Sequence, residues 1–246
     1  MHKVLVMGDS HVAPWREIQR AIPIEGYKFK VVSTPGASAF GVNKDISGSN
    51  SNKRFAECLS RWGHEHEYII ISLGEADCGS LAWIYMQRHN EVTDPKEVID
   101  MSIVSIKRYV QETVSVYFNP DKIILQSVHI PTQATFADTE NASWHDYGWQ
   151  NADKVDTSKP ADYNSRKGIT ANLRQRTDMV YYWNNNLKLV CKQLGIHYLD
   201  TTTDMITTEG VIDPMYIKRV KHDPHLRIPP AGRLFKNKFI EFLDVN

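Results

Sequence analysis

The chain of 246 residues is long enough to bury the core of one α/β domain. Lys and Arg together number 29, as do Asp and Glu, so no net charge would draw the chain to nucleic acid or to an anionic membrane. No apolar run approaches the ~20 residues that span a bilayer, and the apolar N-terminal segment is too short for a signal peptide. We therefore expect neither a nucleic-acid partner nor a membrane partner.

The cysteines indicate the redox environment. Cys58, Cys78 and Cys191 form an odd set without CxxC spacing, which favours free thiols in a reducing compartment over a disulfide framework. We expect a cytoplasmic protein.

Apolar runs and helical periodicity alternate along the chain. Five runs rich in β-branched residues predict buried strands at Val4–Met7, Phe29–Val32, Tyr68–Leu73, Lys122–Val128 and His197–Leu199. Amphipathic segments predict helices at Pro14–Ile22, Asn52–Trp62, Pro95–Phe118, Thr170–Leu194 and Ala231–Leu243. In the third helix, the residues expected to face inward are Val98, Met101, Val104, Ile106 and Val110. Because the strands alternate with helices, we predict a three-layer α/β/α sandwich with a mainly parallel five-stranded sheet. Any functional site should then lie at the carboxyl ends of the strands.

One long polar segment interrupts this pattern. Residues 131–168 contain Trp144, His145, Tyr147 and Trp149, and such an aromatic content is untypical of disordered segments. We predict a single domain over 1–246 with an insertion at 131–168, which is either a lid over the carboxyl edge or a decorative surface loop.

Two common kinds of site have weak support. The turn after the first strand, GDSHVA, has one glycine where a dinucleotide fold would have GxGxxG, and Asp9 would repel a pyrophosphate. Among metal-binding patterns, His64-Glu65-His66 precedes a strand at the end away from the expected site. The stretch His222-Asp223-Pro224-His225 has no further group that completes a ligand spacing.

A nucleophilic site has stronger support. Ser10 follows the first strand, where it could be an ordinary helix cap or a nucleophile held on a rigid turn. Acyl transfer also needs a base and donors for the oxyanion. Three more stretches reach the same edge of the sheet: STPGASAFG, SLGEADCGS and KHDPHLRIPPAG.

These blocks, in this order, resemble those of the SGNH/GDSL hydrolase superfamily over nearly the whole chain, from Gly8 to Gly232. The resemblance implies that Ser10 is the nucleophile and an oxyanion donor, and that His225 is the general base. It implies that Gly36 is the second oxyanion donor, with the N–H of Ala39 as the alternative in another register.

Two of these stretches, SLGEADCGS and KHDPHLRIPPAG, depart from the family pattern. Gly74, which we assign to the oxyanion hole, begins a GExDC variant of the family's GxND, in which Ala76 replaces the asparagine donor. Variants of this kind resemble a branch associated with polysaccharide modification. The stretch Asp223-Pro224-His225 is one residue shorter than the DxxH motif of the family. Either Asp223 orients His225, or the histidine acts in a dyad with Ser10. His222, which stands three residues before His225, is a rival base.

We interpret the chain as a serine-dependent ester hydrolase, an acyl or acetyl esterase whose partner is a small-molecule or glycan ester. The residues expected to contact substrate are Glu75, Asp77, Trp144 and Trp149. An O-acyltransferase of glycans that uses the same Ser–His pair and a catalytically silent carbohydrate-binding domain are the alternatives. We expect that this chemistry requires no metal and no organic cofactor.

Overall fold

The centre of the molecule is a sheet of five parallel strands. They are β1 (His2–Gly8), β2 (Tyr27–Ser33), β3 (Tyr68–Ser72), β4 (Ile123–Gln126) and β5 (His197–Leu199). The order across the sheet is β2-β1-β3-β4-β5. The computed structural model describes residues 1–44, 48–89, 94–132, 169, 171–208, 210–217 and 225–245.

Helices cover both faces of this sheet. They are α1 (Ala13–Arg20), α2 (Ser51–Trp62), α3 (Ala82–Arg88), α4 (Pro95–Glu112), α5 (Leu173–Leu194) and α6 (Ile228–Val245). Helix α1 packs against α6, and α4 packs against α5. The predicted three-layer α/β/α architecture with a parallel five-stranded sheet is confirmed. No helix in the described ranges has the length and apolar character required to cross a membrane.

The ends of several elements differ from the sequence-based prediction. The fourth strand ends at Gln126 rather than Val128, and α4 ends at Glu112, where a 3-10 turn follows. Helix α5 begins at Leu173 because Asn172 and Gln175 form a reciprocal capping box there. The side chains of Met101 and Val104 were expected to face inward, but they are 37% and 66% exposed.

The core is built around β1 and the aromatic side chains between α1 and α6. All four residues of Val4–Met7 are fully buried. The buried indole of Trp15 stacks on Phe29 and packs against Phe235 of α6, with ring centroids 5.5 and 5.4 Å apart. Its N–H donates to the Gln126 side chain at 2.8 Å, so the polar atom of this large core residue is satisfied. All three cysteines are free and buried.

An asparagine of α5 supports the chain where β4 ends. The Asn184 side-chain oxygen accepts from the Val128 N–H, and its amide donates to the Val128 carbonyl, both at 2.8 Å. This pair of bonds continues the hydrogen bonding of the strand beyond the last strand residue. It therefore fixes the backbone that leads from β4 to the residues at the carboxyl edge.

Replacement of Asn184 by alanine should lower the free energy of unfolding by about 2–3 kcal/mol, because the buried Val128 N–H then has no acceptor. The neighbouring Asn185 is exposed on the same helix, and its replacement by alanine should change stability by less than about 0.5 kcal/mol. Urea unfolding followed by circular dichroism measures both values. Equal effects of the two substitutions would contradict this role of Asn184.

Candidate active site

Ser10 lies at the carboxyl end of β1, in a 3-10 turn over Ser10–Val12 that leads into α1. The cap of this turn is Asp9, whose carboxylate accepts from the His11 N–H at 2.8 Å. The alternative that Ser10 is the helix cap is therefore wrong. A Cβ at Gly8 would lie only 2.2 Å from the Ser72 carbonyl oxygen. Only glycine allows the ends of β1 and β3 to approach so closely.

Segments that are distant in sequence meet in one cavity of about 320 Å³. Ser10 lines it from the turn after β1, Gly36 from the loop after β2, Ala76 from the turn after β3, and His225 from the segment before α6. The His225 segment is held by an antiparallel bridge between Ile217 and Leu226. Within the described part of the chain, the Ser10 hydroxyl makes no hydrogen bond. Ser10 and His225 thus share a cavity without a direct Ser–His bond in this structure.

Asp77 has a structural position rather than a substrate-facing one. Its side chain is fully buried. Its oxygens accept from the N–H groups of Ala39 and Phe40 at 2.8 and 2.9 Å and from the Ser102 hydroxyl at 2.8 Å. Burial raises the pKa of this carboxyl, and these hydrogen bonds oppose the rise. The expectation that Asp77 contacts substrate is corrected, because the side chain is enclosed by donors from two other segments.

The same contacts decide which backbone N–H of the stretch STPGASAFG is available as an oxyanion donor. The N–H of Ala39 donates to Asp77 and is therefore already used. Gly36, which lines the cavity, is then the better candidate for the second oxyanion donor. The alternative register based on Ala39 is not supported by the geometry.

Gly74 has a packing role that the sequence did not indicate. Its φ is +123°, and a Cβ there would lie 2.3 Å from Cε2 of the buried Trp183 indole. Any side chain would displace this indole and strain the backbone. Gly74 does not lie among the described residues that line the 320 Å³ cavity. Gly74 allows α5 to pack against the turn after β3, and its assignment to the oxyanion hole stays a prediction.

Ionisable side chains cluster beside Ser10. Nδ1 of His11 lies 3.2 Å from Oδ1 of Asp9 and 3.6 Å from Oε2 of Glu75. The ring of His11 stacks on that of His225, with centroids 4.7 Å apart and planes 24° apart, and lies 4.7 Å from the ring of His129. Neither His11 nor His129 was predicted from the sequence to belong to the site. The one feature of the sequence that could have indicated them is their position, since each is an ionisable residue shortly after a predicted buried strand.

Glu75 lines the cavity, as its expected contact with substrate requires, and its side chain is 25% exposed. Desolvation raises the pKa of its carboxyl, and the nearby charge of His11 partly offsets the rise. Arg176 of α5, only 2% exposed, lines the same cavity and also lowers the pKa of Glu75. This buried arginine was not predicted from the sequence, because it lies in a segment whose pattern is typical of an ordinary amphipathic helix.

Several expected site residues lie outside the described part of the chain. They are His222 and Asp223 near the proposed base, and Trp144 and Trp149 in the insertion. Of the rival metal pattern His64-Glu65-His66, the structure describes both histidines. His64 packs against Tyr117, and Nδ1 of His66 donates to the Trp62 carbonyl at 2.8 Å. The two imidazoles therefore have separate partners.

No family model and no curated protein matches the sequence. Solved structures with the same fold do match. A GDSL-like lipase from Bacteroides thetaiotaomicron has 14% identity and a TM-score of 0.57, over 98% of this chain and 86% of that one. Est24, a carbohydrate acetylesterase from Sinorhizobium meliloti, has 13% identity and a TM-score of 0.55 over the full length of both chains. An extracellular lipase from Streptomyces rimosus has 10% identity and a TM-score of 0.50, over 98% and 99%. At these identities the likeness establishes the fold.

Replacement of Asp77 by asparagine should lower the free energy of unfolding by about 2–3 kcal/mol, because an amide group would then face a buried donor. Replacement of Ser102 by alanine removes one donor and should lower it by about 1 kcal/mol. Urea unfolding measures both. A stable Asp77→Asn variant with weakened substrate binding would restore the original expectation for this residue.

Proposed function

We propose that the chain is a serine-dependent ester hydrolase with Ser10 as nucleophile and His225 as general base. The observation that carries this proposal is the convergence of Ser10, Gly36 and His225, which come from three separate segments, on one cavity of about 320 Å³. An acyl-transfer site requires a nucleophile, a base and oxyanion donors around one reacting carbon. The shared fold with GDSL-like lipases and a carbohydrate acetylesterase supports the same chemistry.

In the first half of the proposed reaction, Oγ of Ser10 attacks the acyl carbonyl carbon while His225 takes the hydroxyl proton. The backbone N–H groups of Ser10 and Gly36 donate to the oxyanion that forms. When the oxyanion collapses, the ester C–O bond breaks, and the alcohol leaves with the proton from His225. The acyl group remains on Ser10.

In the second half, His225 takes a proton from water as the water oxygen attacks the acyl carbon. The bond to Oγ of Ser10 breaks, the proton returns to Oγ, and the carboxylic acid leaves. Asp223, two residues before the base, is proposed to orient the imidazole, because side chains two residues apart in an extended segment lie on the same face.

The lining of the cavity supports a short acyl group on a polar alcohol. The volume lies at the lower end of the ~300–1,000 Å³ typical of small-ligand sites. Polar side chains, among them Ser38, Ser80, Glu75 and Arg176, line the cavity together with the apolar Ala76, Leu81, Ile84 and Pro131. A carbohydrate O-acetyl ester fits this description, and Est24 is itself a carbohydrate acetylesterase. Trp144 and Trp149 are proposed to stack on the sugar rings.

Intact-mass measurement after treatment with a fluorophosphonate tests the nucleophile. The wild-type chain should gain one adduct, and Ser10→Ala should gain none. Replacement of His225 by glutamine should slow labelling by about 10²- to 10⁴-fold, because the proton then has no acceptor. Ser80→Ala is the matched control, since Ser80 lines the same cavity and should still allow labelling at the wild-type rate.

The outcomes of the labelling experiment separate the alternatives. Dependence of labelling on His222 instead of His225 would move the base. Absence of an adduct on the folded wild-type chain would favour a catalytically silent carbohydrate-binding domain, consistent with Ala76 and with the Ser10 hydroxyl lacking a hydrogen bond in the described residues. If labelling occurs, release of acetate from an activated ester with and without added glycan distinguishes hydrolysis from transfer to a sugar hydroxyl.

Replacement of Ala76 by asparagine should raise kcat on an activated acetyl ester by about 10- to 100-fold. Ala76 lines the cavity with Ser10 and Gly36, so an asparagine amide there adds a third oxyanion donor. Steady-state kinetics with 4-nitrophenyl acetate measure this effect, and Ala76→Leu, which adds similar bulk without a donor, is the control. An unchanged kcat in Ala76→Asn would mean that another group already fills this role.

A further inference from the structure

A second, much smaller cavity lies beside the ionisable cluster. Its volume is about 10 Å³, and Asp9, His11, Glu75 and His129 are among the residues that line it. This volume is comparable to that occupied by a single water-sized species. All four of these side chains carry atoms that can ligate a metal ion.

The spacing of the donor atoms matches metal coordination. The ligand atoms of Asp9, His11 and Glu75 all lie within 4.8 Å of one another. Nδ1 of His11 is 3.2 Å from the Asp9 oxygen and 3.6 Å from the Glu75 oxygen. Metal–ligand bonds of 2.0–2.2 Å in a tetrahedral zinc site place neighbouring donors roughly 3.3–3.6 Å apart. These three side chains therefore need little movement to hold one ion.

The buried side chain of His129, which lines the small cavity, supports a cation site independently of the three clustered ligand atoms. Its side chain is 94% buried, since its exposure is 6%. Nδ1 lies 2.9 Å from the Ile130 carbonyl oxygen, and because a carbonyl only accepts, Nδ1 carries the proton. Nε2 is then the nitrogen with the lone pair, and it has no hydrogen-bond partner among the described residues. A metal-binding histidine typically has this arrangement, with its other nitrogen donating to a carbonyl.

The charges of the cluster also favour a cation. Asp9 and Glu75 carry two carboxylates at the edge of the core, with exposed side-chain fractions of 4% and 25%. A cation bound between these two carboxylates is attracted by both of them, in surroundings less polar than water. Neutral imidazoles and carboxylates are the forms that ligate metals.

We propose that Asp9, His11 and Glu75, whose ligand atoms lie within 4.8 Å of one another, bind one divalent cation of the zinc class, and that His129, which lines the same cavity but lies outside this 4.8 Å group, moves in to complete the site. Two imidazole nitrogens and two carboxylate oxygens suit Zn²⁺ better than Mg²⁺ or Ca²⁺, which take oxygen ligands. This proposal departs from the sequence-based expectation that no metal is needed, and it does not depend on the ester chemistry.

Zinc binding by the full-length chain tests the site. The chain is treated with a chelator, desalted and titrated with ZnCl₂ in a calorimeter, and the metal retained after gel filtration is counted by mass spectrometry. We expect one zinc per chain and a rise in Tm with added zinc, because the ion binds the folded state. His129→Gln and Glu75→Gln should weaken binding by at least about 10- to 100-fold and abolish the Tm shift.

A double variant, His64→Gln with His66→Gln, is the matched control, because this His–Glu–His segment is the other place where zinc could adhere. It should bind zinc as the wild-type chain does.

Two results would overturn the proposal. One is an absence of bound zinc in the wild type, which would leave a single buried water as the occupant of the cavity. The other is binding that is lost in the control but retained in His129→Gln. If Glu75→Gln folds and His129→Gln does not, the Glu75 variant decides. None of these readouts depends on whether Ser10 reacts with a fluorophosphonate.

Discussion

The close approach of β1 and β3 at Gly8 is the constraint on which the site depends. A Cβ at this position would lie 2.2 Å from the Ser72 carbonyl oxygen. The Gly8 carbonyl also accepts from the N–H of Thr34, in the loop after β2, at 2.8 Å. The ends of three adjacent strands therefore meet around a residue without a side chain. The segments that follow them begin close together, and so Ser10, Gly36 and Glu75 reach one cavity although each belongs to a different loop.

Buried polar tethers then fix these segments. The Asp77 carboxylate joins the turn after β3 to two amides of the loop after β2, and the Asn184 side chain holds the backbone after β4. Each tether places a polar group in the core, where it is stable only because all of its partners are present. The rigidity of the cavity wall thus depends on side chains that do not contact substrate themselves.

The ionisable cluster links the two cavities, because His11 and Glu75 line both. His11 contacts two carboxylates through Nδ1 and stacks on His225. Electrostatic interactions between such groups are stronger at the edge of the core than in water. A change of charge at Asp9, Glu75 or His11 therefore changes the electrostatic potential at His225. The proposed ester chemistry and the proposed cation site thus share one electrostatic environment.

The sequence by itself determined the layers, the parallel sheet, and the edge at which Ser10 and Gly36 would lie, while the family resemblance assigned His225 to that edge. It could do so because apolar runs and helical periodicity follow from local burial, and because strand–helix alternation restricts the topology to right-handed crossovers. The tertiary structure alone decided which polar residues at this edge face a cavity. Glu75 and Asp77 are two residues apart in one block, yet Glu75 lines the cavity while Asp77 is enclosed by donors from two other segments. It also brought together Asp9, His11, Glu75 and His129, whose spacing along the chain has no period. Such a cluster depends on how the loops after different strands pack together, and local sequence patterns do not encode that packing.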